Sequence, residues 1–144
     1  MTTYRLLILI LCFCVTPAGL ACSCVPPTTV TVAYAEASTV VAAEAVAVSD
    51  RTVKDENGHD LARQAVLWQV HESWKGPHKL GSKFTTRTLV DCCICGRAVT
   101  KSDLMILYLQ GKEPYKLSIC GRSDMLKLSL QDVPLLYEFR GSKP

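Results

Sequence analysis

The cysteines set the tightest limit on how this chain folds, and their number depends on where the mature protein starts. Residues 1–21 read as a leader rather than as fold. Arg5 supplies a short positive start, and Leu6 to Val15 (LLILILCFCV) is an apolar run. Gly19 and Ala21 are small residues at the minus-three and minus-one positions of a cut before Cys22, the pattern of a secretory signal peptide. The run is much shorter than the roughly 20 residues that span a bilayer, which weighs against a membrane anchor. A lipoprotein signal would acylate Cys22, but Gly19 matches such a signal poorly, so membrane association is expected only if Cys22 carries lipid. Of eight cysteines, Cys12 and Cys14 leave with the leader. Cys22, Cys24, Cys92, Cys93, Cys95 and Cys120 remain. An even number in an exported domain predicts disulfides. Six cysteines allow 15 pairings, and spacing alone selects none.

Residues 22–144 are expected to form one domain. Apolar residues make up 49% of the chain and charged residues 20%, enough for a packed core. The formal charge of +3 drops to +2 once Arg5 is removed. So weak a bias gives no reason to expect nucleic acid or membrane lipid as a partner.

The pattern along the chain predicts a mainly β fold. Val30, Ala33, Tyr34 and Ala37 fall at helical spacing after Pro26-Pro27, which predicts a short helix within 28–38. Val40 to Val48 reads as a strand with Val40, Val46 and Val48 on one face. Ser49 to Asp60 reads as a loop around the turn signal Asn57-Gly58. Val66, Trp68 and Val70 alternate with Leu67, Gln69 and His71 in a second strand, Arg63 to Trp74, closed by Gly76-Pro77. Lys83 to Val90 is rich in β-branched residues and predicts a third strand. Leu104 to Gln110 is nearly all apolar and predicts a fourth, buried on both faces. Tyr115 to Cys120 predicts a fifth. Asp132 as N-cap and Pro134 in the first turn predict a C-terminal helix over Val133–Arg140. Five strands with a helix near each end fit a closed, OB-like barrel, because closure removes exposed sheet edges.

Cys22-Ser23-Cys24-Val25-Pro26-Pro27, placed directly after a leader, resembles the start of the tissue inhibitors of metalloproteinases. The wider set is the netrin-like domain, an OB-type barrel. Trp74-Lys75-Gly76 at the end of the second strand is similar to the pattern of secreted netrin-like chains of bacterial type, and Cys95-Gly96 and Cys120 lie where the family's partner cysteines lie. The likeness spans about residues 22–140 and corresponds to the family's inhibitory domain alone. It implies a single-domain, disulfide-stapled member with Cys22–Cys95 and Cys24–Cys120 bonds. It also implies an inhibitor with no catalysis, no cofactor and no metal of its own. No cysteine stands between Val25 and Asp91 to supply the family's third disulfide. Cys92 and Cys93 therefore stay unassigned.

By this resemblance the α-amine and carbonyl of Cys22 bind the catalytic zinc of a target protease and displace the water that the metal would activate. An α-amino pKa near 8 makes deprotonation inexpensive at neutral pH. Ser23 enters the pocket beyond the scissile position; Cys24, Val25 and Pro26 run along the substrate cleft, and Cys93 and Ile94 form a second contact edge. The implied partner is a zinc metalloproteinase, met by a secreted or periplasmic monomer. A netrin-like module that binds another extracellular or envelope protein without inhibiting it stands beside this reading. So does a thiol redox protein using Cys92 and Cys93. Other features carry less. His71-Glu72 would begin a His-Glu-x-x-His zinc motif, but position 75 is lysine. His71 reads as a strand-face residue, His59 and His78 as solvated loop residues, Trp68 as core and Trp74 as rim.

Overall fold

A computed structural model describes residues 29–90 and 95–142. The order is α1 (Val30–Glu36), β1 (Thr39–Lys54), β2 (Asp60–Lys75), β3 (Lys83–Leu89), β4 (Leu104–Leu109), β5 (Tyr115–Lys116), β6 (Asp124–Met125), two short 3₁₀ turns (Leu126–Leu128 and Leu130–Asp132) and α2 (Val133–Gly141). The fold is mainly β. Among the described residues no helix is long and apolar enough to cross a membrane.

The strands form one mixed sheet in the order β5-β3-β2-β1-β4-β6. All neighbours are antiparallel except β3 and β5, which run parallel. Among the described residues the ladder does not close, in contrast to the expected closed barrel. The outer side of β4 is already taken: Met105 and Ile106 pair with β6, and the Ser123 hydroxyl receives the Tyr108 amide (2.9 Å) and donates to its carbonyl (3.3 Å). The described residues hold six strands, not five. The fifth is two residues long, and just beyond it Ser118 makes an isolated bridge with Gly96.

Two cores lie on the two faces of this sheet. The inner one gathers Val41, Ala43, Val66, Trp68, Val70, Phe84, Met105 and Leu107. The outer one packs α1 and α2 on the sheet through Val30, Ala33, Val40, Trp74, Ile106 and Leu136. β4 serves both and is buried on both faces, as its unbroken apolar run predicts. The alternation Val66-Trp68-Val70 also holds, with the Trp68 indole N–H donating to Thr86 Oγ1 at 2.8 Å.

β1 departs from its predicted face. Ala45 pairs with Trp68 and Ala47 with Leu67, so β1 carries an extra residue, Val46, in a bulge. A bulge of one residue reverses the inside–outside parity of the strand beyond it. Val40 therefore packs in the outer core and Val48 against the inner one. Ser49–Asp60 is mostly strand, since β1 and β2 continue as a long hairpin whose turn is Asp55–His59, with Gly58 at φ 84°. Trp74 is not at the rim. It is 4% exposed in the outer core, and its indole N–H has no hydrogen-bond partner among the described residues.

The Trp-Lys-Gly stretch has three separate tasks. Trp74 floors the outer core. Lys75 Nζ donates to the carbonyls of Tyr34 (2.6 Å) and Ala35 (3.1 Å), satisfying C-terminal carbonyls of α1. Gly76, at φ 100°, turns the chain off β2 where a Cβ would lie 2.6 Å from Thr39 Oγ1. α1 starts at Thr29, whose hydroxyl accepts from the Val32 amide at 3.3 Å, within the predicted span.

Asp132 does not cap α2. Its backbone is already helical (φ −77°, ψ −28°) because a 3₁₀ turn leads into it, and its side chain makes no capping bond. An N-cap residue has extended backbone, which aims the carboxylate at the first amides. Here the carboxylate points instead into the protein.

Candidate functional site

Cys22, Ser23, Cys24, Val25, Pro26, Cys92, Cys93 and Ile94 lie outside the described residues. Cys95 and Cys120 lie within them, and both are disulfide-bonded. The chain brings their two segments together around Ser118. Ser118 Oγ donates to the Cys95 carbonyl at 2.7 Å and accepts from the Cys120 amide at 3.2 Å. The Ile119 amide donates to the same Cys95 carbonyl at 3.1 Å. A hydroxyl that donates and accepts at once holds both cysteine backbones to one point.

Each segment is also anchored to the sheet. Gly96 sits against the end of β3, where a Cβ would come within 1.4 Å of the Leu89 carbonyl oxygen and 2.7 Å of Thr88 Oγ1. Only a residue without a side chain can make that approach. The next amide, Arg97, donates to Thr88 Oγ1 at 2.9 Å, while its guanidinium pairs with Asp124 and donates to the Ser123 carbonyl at 3.0 Å.

The Cys120 segment is fixed from the other side. Arg122 donates to Asp132 through Nε (2.7 Å) and Nη2 (2.6 Å), and the Tyr108 hydroxyl donates to the same carboxylate at 2.9 Å. Asp132 is 1% exposed. A buried carboxylate of this kind is tolerated because its oxygens are paired by donors, one of them a cation. Burial, then the bond to Asp132 and its charge, push the Tyr108 phenol well above its ordinary pKa. The bond to Asp132 likewise holds the Arg122 guanidinium protonated more firmly. Between this cluster and α1 runs a groove of about 390 Å³, lined by Ala33, Glu36, Tyr108, Lys116, Cys120 and Arg122.

The remaining candidates are placed by the sheet. His71 lies on an exposed strand face, with Nε2 3.1 Å from Glu44 Oε2. His59 is exposed in the hairpin turn beside Asp55. His78, read as solvated, is half-buried: Nε2 lies 2.9 Å from the Tyr115 hydroxyl, and its ring is 4.7 Å from that of Phe84. Among the described residues no three His, Cys, Asp or Glu side chains are grouped to hold a metal ion. The Arg122–Asp132–Tyr108 cluster went unseen in the sequence because Asp132-Val133-Pro134 already carried a helix-start reading. No model of a known protein family matches this chain, and no curated protein matches it in sequence.

Proposed function

We propose that this chain is a secreted, single-domain metalloproteinase inhibitor of the tissue-inhibitor type, acting through the α-amine and carbonyl of Cys22. The observation that carries the reading is the joining of Cys95 and Cys120. Both are oxidised, and Ser118 bonds both of their backbones. In this reading Cys22 bonds Cys95 and Cys24 bonds Cys120. Anchors that share one hydroxyl hold both ends of Cys22-Ser23-Cys24 at one place. A terminus fixed in its bound shape loses little entropy when it binds.

In the same reading the six-stranded sheet of the described residues is a partly open, OB-type barrel. β1 pairs with both β2 and β4, β5 lies parallel to β3, and Leu117–Ser123 crosses from one edge strand to the other. The amine and carbonyl then take the open position of a target's catalytic zinc, and Ser23 enters the adjoining pocket. Cys24, Val25 and Pro26 run along the cleft, with Cys93 and Ile94 beside them.

The test is titration of mature protein beginning at Cys22 against several zinc endopeptidases, beside a form with one alanine added before Cys22. The added residue displaces the amine from the metal while leaving every disulfide intact. Loss of at least a hundredfold in inhibition is expected. Equal inhibition by both forms sinks the chelation mechanism. No inhibition by either form points to a netrin-like module that binds another extracellular or envelope protein.

A further inference from the structure

Three arginines meet on the outer face of the hairpin and β3. Arg51 of β1, Arg63 of β2 and Arg87 of β3 line a depression of about 300 Å³ whose floor includes Ser49, Ala65 and Thr85. The pairing register explains the meeting. Arg51 stands directly opposite Arg63. Arg63 pairs with Leu89 and Ala65 with Arg87, so Arg87 lies one diagonal from Arg63. Directly opposed residues hold their Cβ atoms about 5 Å apart and diagonal ones about 7–8 Å.

Such an arrangement costs stability, because like charges directly opposite one another repel. Nothing among the described residues compensates. None of the ion pairs there involves Arg51, Arg63 or Arg87. Two carboxylates are near in the sheet and both are committed elsewhere. Asp50 accepts from Gln64 Nε2 (3.1 Å), and both residues alternate with the arginines along their strands. Glu113 accepts the Thr85 amide at 2.7 Å. A floor of small side chains from three strands leaves the guanidinium forks open above it. Guanidinium is the group that grips planar or tetrahedral oxyanions in two-point fashion.

We propose that this depression binds a tetrahedral oxyanion, the phosphate or sulfate group of an ester. The anion would sit among three cations that now repel one another, so binding relieves a cost already present in the fold. The lining residues are none of those named in the inhibitor reading, so the proposal does not rest on it.

The experiment uses the full mature protein with its disulfides intact, in low-salt buffer free of multivalent anions. Calorimetric titration with inorganic phosphate, and separately with inorganic sulfate, should give a saturable single site. Arg63→Gln should weaken it at least tenfold. Lys101→Gln, which removes the same charge from an exposed turn, should change it less than twofold. At a phosphate concentration a hundred times the wild-type Kd the wild-type melting midpoint should rise on the order of 10 °C, and that of Arg63→Gln by about half as much or less. Without anion, Arg63→Gln should melt no lower than wild type, because it relieves repulsion; a markedly lower midpoint overturns the proposal. So does the absence of a saturable site, or an equal loss in Arg63→Gln and Lys101→Gln. Displacement of bound phosphate by phosphatidylglycerol vesicles assigns the ester to a lipid headgroup. Displacement by glucose 6-phosphate or a sulfated oligosaccharide, and not by vesicles, assigns it to a soluble ester.

Discussion

Replacing Asp132 by alanine tests how the Cys120 segment is held. The carboxylate accepts two bonds from Arg122 and one from Tyr108 while 1% exposed. Removing one member of a buried pair costs about 3–5 kcal/mol when the other charge is left uncompensated. The Arg122 side chain keeps 20% exposure, so part of its charge can be rehydrated. That places the cost of Asp132→Ala near the lower end, at about 3 kcal/mol. Tyr108→Phe removes a single hydrogen bond to a charged group and leaves the ion pair, so about 1.5–2 kcal/mol is expected. Urea unfolding of the oxidised protein, monitored by tryptophan fluorescence, reads both changes. Arg122→Met completes a double-mutant cycle in which the coupling with Asp132→Ala should exceed about 1 kcal/mol. Additivity within about 0.5 kcal/mol would refute the reasoning, since contacting residues in one network do not add. The tyrosine supplies a check by sign. Its folded pKa is raised, so its contribution is intact below the unfolded value near 10 and is lost as pH rises beyond it. Asp132→Ala should reduce that alkaline loss.

Glu72 and Gly96 offer two more tests. Burial alone would raise the Glu72 carboxyl, but bonds from Tyr137 (2.9 Å), the Ser73 amide (3.2 Å) and Arg140 (2.7 Å) outweigh it and leave it below the usual value. A lowered carboxylate stabilises the fold above its unfolded pKa, near 4.3, and loses that contribution as pH falls through the folded value. The gap in melting midpoint between wild type and Glu72→Gln should therefore narrow from pH 7 to pH 3; a constant gap counts against this role in docking α2. Gly96→Ala should cost at least about 1–3 kcal/mol, because its Cβ meets the Leu89 backbone rather than a yielding side chain. Denaturant midpoints check it, and a neutral outcome would mean that the Cys95 segment does not rest on β3.

The sequence is most legible where one local rule acts alone. Val66-Trp68-Val70 reads correctly because the extra residue of the bulge opposite it lies on β1, not on β2. β4 reads correctly because an unbroken apolar run has one explanation, burial on both sides. β1 misleads after Ala45, since a bulge leaves no mark in a stretch of alanine and valine. Asp132 begins a helix where predicted, yet the preceding 3₁₀ turn sets its backbone and Arg122 claims its carboxylate. Ladder closure depends on which segment reaches the edge of β4 first, and the two-residue β6 is too short to show a pattern. The arginines at 51, 63 and 87 are invisible in a net charge of +3, because only cross-strand register unites them. Of the proposed site, the family resemblance pointed to Cys95 and Cys120. It could not point to Ser118, a common surface residue whose role comes entirely from where it stands.

The open ladder has a colloidal consequence. A bare sheet edge is a template on which another chain can add strands and start an aggregate. This sheet ends in strands of two residues, and nearby backbone groups are occupied by side chains: Glu113 takes the Thr85 amide, and Ser123 takes both polar groups of Tyr108. The longer stretch lies on β1, where the β4 ladder stops at Glu44 and the strand runs on to Lys54. That stretch carries exposed Asp50, Arg51 and Lys54, whose hydrated charges a joining strand would have to strip of water. The molecule thus keeps its neighbours at a distance by short edges, occupied amides and charge, with its ladder left open.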